Sequence, residues 1–428
     1  MGKRLSSILF WSIISAAFIG PGTVTTAARA GASFQYSLIW ALLFGVIACL
    51  VLQEAAARLT LGSGLKLGEA ISSHFQDSPR VMWVRYAVVG AIVFGCAAYQ
   101  AGNLMGAASG LEVVSGFAAR WGILSVAIPA ILVLWFGRLK FIQQLMTVLV
   151  AFMGLMFLFL AFQFPIVPSA FFKGAFIPSL PGGSEALALG LIGTTIVPYN
   201  LFLASGISSR QNLTEMRFGL SVSILFGGLI SLAILLVGSA LQGDFSFTNL
   251  ALLMDEKLNG YGSILLGFGL FCAGFSSGIT APYAAAITWQ SMRPGSSSIP
   301  DKGFKAIWIG VMLVGLLFGL SGLQPIAIIL SAQAINGFLL PVSAIFLLRV
   351  VRDEGLLSGK YLNTRVQTVL MGLVVWIAIV LGLHNLGFVL EQLIIGFSAQ
   401  GLYYVSTLVL FGALLLRVSL LKKTTLTR

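Results

Sequence analysis

From Leu145 to Phe164 the chain runs for twenty residues without a charge, and Ala306 to Leu320 is another uncharged run. About 20 apolar residues in a helix span the hydrocarbon core of a bilayer. Such segments recur at 6–28, 36–57, 86–112, 122–137, 141–163, 184–207, 218–241, 262–289, 305–323, 325–348, 366–384 and 388–416, about twelve in all. Only 9% of the 428 residues are charged, against about 25% in a soluble domain. So few charges cannot cover a water-soluble surface, and lipid must be the solvent for most of the exterior. The expectation is an all-α membrane protein. The net charge of +12 then reports topology and attraction to anionic lipid, with no nucleic-acid partner implied.

The basic residues test the helix count. With the N-terminus inside, only Arg29, Arg120, Lys173 and Lys257 of the 25 Lys and Arg fall outside. Removing one span would invert every later loop and destroy this asymmetry. We therefore expect both termini in the cytoplasm and a multi-pass protein of the cell (inner) membrane. Lys3 and Arg4 precede an apolar run from Ile8 to Ile19, but no A-x-A site follows before Pro21, so this segment reads as an uncleaved first span. Cys49, Cys96 and Cys272 sit in apolar runs without CxxC spacing and read as packing residues. No cofactor is expected. No carboxylate pair, histidine cluster or nucleophile lies at membrane depth, which argues against an enzyme.

Two spans are interrupted at matching places. Gly20-Pro21-Gly22-Thr23 lies within the first, and Val197-Pro198-Tyr199-Asn200 within the sixth. Proline removes a backbone donor and clashes with the preceding turn, and Gly22 loosens the chain further. Freed backbone groups at membrane depth are tolerated beside protein or a water-filled cavity. Paired Gly/Pro interruptions in two halves point to the midplane site of a secondary transporter. The Pro- and Gly-rich connection from Phe164 to Gly183 reads as the join between halves. The expected organisation is a first five-helix repeat at 1–163, a second, inverted one at 184–348, and two peripheral helices at 366–416. The stretches following the second, fifth and seventh spans read as loops.

These motifs carry a resemblance to the Nramp family of divalent-metal transporters, which have a LeuT-like fold of five-plus-five inverted repeats. Gly20-Pro21-Gly22-Thr23 aligns with the family's Asp-Pro-Gly-Asn, and Val197-Pro198-Tyr199-Asn200 with its Met-Pro-His-Asn. Leu52-Gln53-Glu54-Ala55-Ala56-Ala57-Arg58-Leu59 and Gly64 to Ile71 resemble the end of its second helix and the following loop. Phe271 to Pro282, with Ser276, Ser277 and Thr280, resembles its eighth helix. Gln333-Ala334-Ile335-Asn336-Gly337 with Leu340-Pro341 resembles the Gln-x-x-Asn-Gly pattern of its tenth. The resemblance implies alternating access around a midplane site. It places substrate contacts at Gly20, Pro21, Gly22, Thr23, Val197, Pro198, Tyr199, Asn200, Gln333 and Asn336, with Thr23, Asn200 and Gln333 as metal ligands by position.

Side chains at that site depart from the family. Gly20 replaces the Asp, Thr23 the Asn and Val197 the Met, while Tyr199 and Ala204 stand where histidines are expected. The remaining donors are hydroxyls, amides and backbone carbonyls. Neutral oxygens suit a partly hydrated cation or a polar organic solute. Two substrates therefore stay open: the divalent metal cation that the resemblance implies, and a small carboxylate-bearing or zwitterionic solute held at the half-helix N-terminus after Gly20. A non-transporting receptor is a third class, disfavoured by the lack of a soluble signalling domain. Proton coupling is expected to be weak or absent. Glu54 and Arg58 read as a structural i,i+4 pair. Gln100 and Asn103 read as interhelical donors or pathway lining, and Ala98, Gly102, Gly106 and Gly110 as a packing stripe.

Overall fold

The computed structural model describes residues 2–393 apart from 138, 208–210, 242 and 294–300. They form sixteen α-helices and one 3-10 turn, with no strand among the described residues. The first expected span is a pair, α1 (Gly2–Phe18) and α2 (Pro21–Phe34), bent by 65° at the break. Then come α3 (Ile39–Ser63), α4 (Leu67–His74), α5 (Val81–Ser115), α6 (Ala119–Phe136), α7 (Leu139–Ala161) and α8 (Pro168–Phe176). The sixth span is α9 (Glu185–Thr195) and α10 (Pro198–Ile207), which run on as one 23-residue segment without a comparable bend. It is followed by α11 (Leu213–Ser239), α12 (Phe247–Lys257), α13 (Gly262–Met292), α14 (Lys302–Gly319), α15 (Pro325–Val350), the 3-10 turn Gly359–Tyr361 and α16 (Arg365–Leu393).

Every expected span up to residue 384 coincides with a helix or an interrupted pair; the twelfth, 388–416, lies largely outside the described residues. Among the described residues eight helices are long and apolar enough to cross a membrane, or nine counting the bent pair as one. α6 and the stretch Leu339–Val350 of α15 are apolar but shorter.

Two expectations are corrected. The stretches read as loops contain α4, α8 and α12. Pro168 opens α8 at its first turn, where no backbone donor is needed. The Ser246 hydroxyl caps α12 by accepting from the Asn249 N–H at 3.0 Å. α16 also continues through the gap expected at 385–387: Asn385 and Gly387 are tolerated between apolar helix formers.

The exterior is apolar, with Trp83, Phe94, Phe136, Phe162 and Leu317 among its exposed side chains, as lipid contact requires. Small residues allow close packing inside. α5 and α13 make the most extensive helix–helix contact. There a Cβ on Gly110 would stand 2.4 Å from the Gly267 carbonyl oxygen, and one on Gly274 2.5 Å from that of Asn103. The expected stripe on α5 therefore does serve packing. Against this pair sit α2 and α10, so both breaks lie in the buried interior.

Candidate functional site

The site is built on the end of α1. The last four carbonyls of a helix have no intrahelical partner unless the chain continues. The Ile19 N–H still reaches the Ser15 carbonyl at 2.9 Å, but Gly20 is extended (φ −109°, ψ −176°) and Pro21 has no N–H. The carbonyls of Ala16, Ala17 and Phe18 are thus exposed by the break. Each is met by a hydroxyl from a different helix. Ser277 of α13 donates to Ala16 at 3.1 Å, Tyr199 of α10 to Ala17 at 2.9 Å, and Thr23 of α2 to Phe18 at 2.5 Å. These carbonyls also form the negative end of the α1 dipole.

A second tier surrounds them. The Tyr199 ring meets Tyr99 of α5 edge-to-face, with centroids 6.0 Å apart. The Tyr99 hydroxyl donates to Gln333 Oε1. The Gln333 amide lies against Gly22, where a Cβ would come within 1.7 Å of Nε2. Gly20 fits under Ser277 and Asn103: its Cβ would stand 2.7 Å from Ser277 Oγ and 3.4 Å from Asn103 Oδ1. Pro21 packs on Gly106 of the stripe. At the second break the Asn200 N–H reaches the Val197 carbonyl at 3.1 Å, and Pro198 starts α10.

Buried polar atoms remain without a partner among the described residues: both amide atoms of Asn200, Nδ2 of Asn103 and Oε1 of Gln100. Gln100 Nε2 donates to the Gly278 carbonyl at 3.0 Å, joining α5 to α13. An unpaired buried amide costs about 1–3 kcal/mol, so each of these atoms is free to meet a ligand or water. Ser276 and Thr280 bond back to their own helix, at Ala273 and Ser276.

Of the sequence-derived site residues, Gly20, Gly22, Thr23, Tyr199 and Gln333 are thus joined around the first break. Val197, Pro198 and Asn200 form the second. The side chain of Asn336 lies outside the described residues. Tyr99 was not singled out from sequence. Its signal was its place beside Gln100 and one turn before Asn103 in an otherwise apolar helix. Among the described residues no three His, Cys, Asp or Glu side chains cluster as metal ligands.

Charged side chains pair instead in the second half of α3. Arg58 Nε lies 3.0 and 3.1 Å from the two Glu54 carboxylate oxygens, and Arg217 of α11 reaches Glu54 at 2.8 Å. Arg58 also donates to the Tyr361 carbonyl and to Asn363 Oδ1. The expected structural pair is therefore the centre of a larger network.

Comparisons with known proteins agree with this architecture. Residues 12–387 match the family model Nramp, natural resistance-associated macrophage protein-like. The divalent metal cation transporter MntH of Klebsiella pneumoniae is 26% identical over 366 residues, covering 81% of this chain and 86% of that protein. MntH of Yersinia pestis is 24% identical over 395 residues, covering 87% and 93%. The crystal structure of an Eremococcus coleocola manganese transporter, in complex with an aromatic bis-isothiourea substituted compound, superposes with a TM-score of 0.76 at 20% identity over 99% of this chain and 94% of that one. Mhp1, a nucleobase-cation-symport-1 family transporter, gives 0.59 at 17% identity over 98% and 93%.

A helical bundle broken at two buried points shares the LeuT-like fold of these solved structures, and the family match with its MntH relatives makes the chain a secondary membrane transporter and not an enzyme. The chain belongs to the Nramp family.

Proposed function

We propose that the protein carries a divalent metal cation through the membrane by alternating access, binding it between the end of α1 and the start of α10. The observation that carries this reading is the row of Ala16, Ala17 and Phe18 carbonyls opened by the break. Hard oxygen ligands replace the water of a divalent ion, and the negative helix end favours positive charge. Asn200, with both amide atoms unpartnered, and Gln333 would complete the shell; the hydroxyl oxygen of Thr23 keeps a lone pair for it. The MntH relatives are divalent metal cation transporters by name.

Residues 1–163 and 184–348 would form the two inverted repeats and 366–416 the peripheral helices, with both termini in the cytoplasm of an inner-membrane protein. Without an acidic or imidazole group at the breaks the site offers no proton carrier, so transport should proceed without proton symport.

The test is uptake of Mn²⁺ into proteoliposomes that hold a chelating fluorophore, with a pH dye in a parallel set. We expect metal entry without internal acidification, and about tenfold lower uptake in Asn200→Ala, the scale of one lost buried amide contact. Binding of an amino acid or other small organic solute, with no metal entering under any gradient, would overturn the reading.

A further inference from the structure

The carbonyls that would take the ion are already occupied by hydroxyl protons. Tyr199 holds the middle one. Its phenol donates to Ala17 at 2.9 Å while its ring rests against Tyr99, whose own hydroxyl is bonded to Gln333. Gln333 in turn lies on Gly22 at the start of α2. Three side chains from three helices thus bridge the break from the end of α1 to the start of α2. A cation and a hydroxyl proton repel one another at the same carbonyl oxygen. A carbonyl oxygen has two lone pairs, but one already shared with a phenol proton is a poorer cation ligand, so the ion is held best once the phenol leaves, and a phenol held by a packed ring does not swing alone.

We propose that Tyr199 is an affinity-setting residue of this site. It is a lock on the Ala17 carbonyl that opens together with the Tyr199–Tyr99–Gln333 bridge, and it sets how tightly a cation is held. The proposal rests on the metal-transport reading above. It differs from a plain capping role in sign. Removing a structural cap weakens binding, whereas removing a lock strengthens it.

Cys96 supplies a native reporter. It is fully buried and lies one turn before Tyr99 in α5. With Cys49→Ala and Cys272→Ala as background, two quantities are measured for the parent protein, Tyr199→Phe and Tyr99→Phe. They are the KM and maximal rate of Mn²⁺ uptake, and the rate of Cys96 labelling by N-ethylmaleimide. Phenylalanine keeps the ring contact and deletes only the hydroxyl.

Tyr199→Phe is expected to lower KM about fivefold, the equivalent of one net hydrogen bond, and to speed Cys96 labelling. Tyr99→Phe, which leaves the Ala17 cap in place but cuts the bridge to Gln333, should speed labelling and lower KM by less than Tyr199→Phe does. An unchanged or raised KM in Tyr199→Phe overturns the lock. So does equal labelling in all three proteins. If no protein carries Mn²⁺ yet labelling accelerates in both variants, the bridge stands and the metal reading fails. If the parent carries Mn²⁺ and neither variant changes either quantity, the lock fails and the metal reading stands.

Discussion

At the scale of single residues, Gly20 is the clearest case of one position constraining another. The space beside it is filled: a Cβ there would meet Ser277 Oγ at 2.7 Å and Ser277 Cβ at 3.2 Å. Gly20→Ala should therefore destabilise the protein by about 1–3 kcal/mol, as overpacking does. Ser277→Gly should return most of that in the double variant. Thermal melting in detergent of both single variants and the pair would show it, as a coupling between touching sites. The breaks themselves were legible in sequence, because Pro21, Gly22 and Pro198 act locally. The pairing of Gly20 with Ser277, and of Tyr99 with Gln333, was not. Those partners are far apart in the chain and meet only through helix packing. The hydroxyl caps were hidden for the same reason: nothing local says that Ser277 serves Ala16.

At the scale of elements, the long apolar helices could be read directly and the short ones were missed. α12 shows why. Its buried residues Phe247, Leu250, Ala251 and Met254 follow an i, i+3, i+4, i+7 pattern after the Ser246 cap, a helical signal, but eleven residues cannot span a bilayer and the segment read as a connection. The Glu54–Arg58 pair was also only half visible. Its i,i+4 spacing is local, while Arg217, Tyr361 and Asn363 come from elsewhere. Through these contacts Arg58, 1% exposed, ties α3 to the segment leading into α16. Arg58→Ala leaves Glu54 with Arg217 alone and strips the Tyr361 carbonyl of this donor. Because Glu54 keeps one ion pair, the expected loss is that of hydrogen bonds to a charged group, about 1.5–3 kcal/mol. Melting should fall accordingly, while Arg58→Lys, which cannot fork to three partners, should recover only part.

At the scale of the whole molecule, the distribution of charge separates two jobs. Ionic contacts among the described residues lie in the second half of α3, at the start of α11 and at helix ends and connections, where His74 of α4 meets Asp353 at 2.5 Å. The His74 hydrogen bond is the main cause holding the Asp353 carboxyl below its ordinary value of 3.8. A depressed carboxylate contributes stability that is complete above its unfolded value and is lost as pH falls through the folded one. Melting of the parent protein should thus lose this contribution only in strong acid, and in His74→Ala the acid limb should move to higher pH. The two breaks, in contrast, carry no ionisable carboxylate, amine or imidazole at all. A carrier whose binding site is neutral moves no site charge through the membrane field when it returns empty. Only the loaded stroke feels the voltage, at ~2.3 kcal/mol per elementary charge per 100 mV. For a doubly charged cargo the current should rectify steeply, and the empty return should be indifferent to membrane potential.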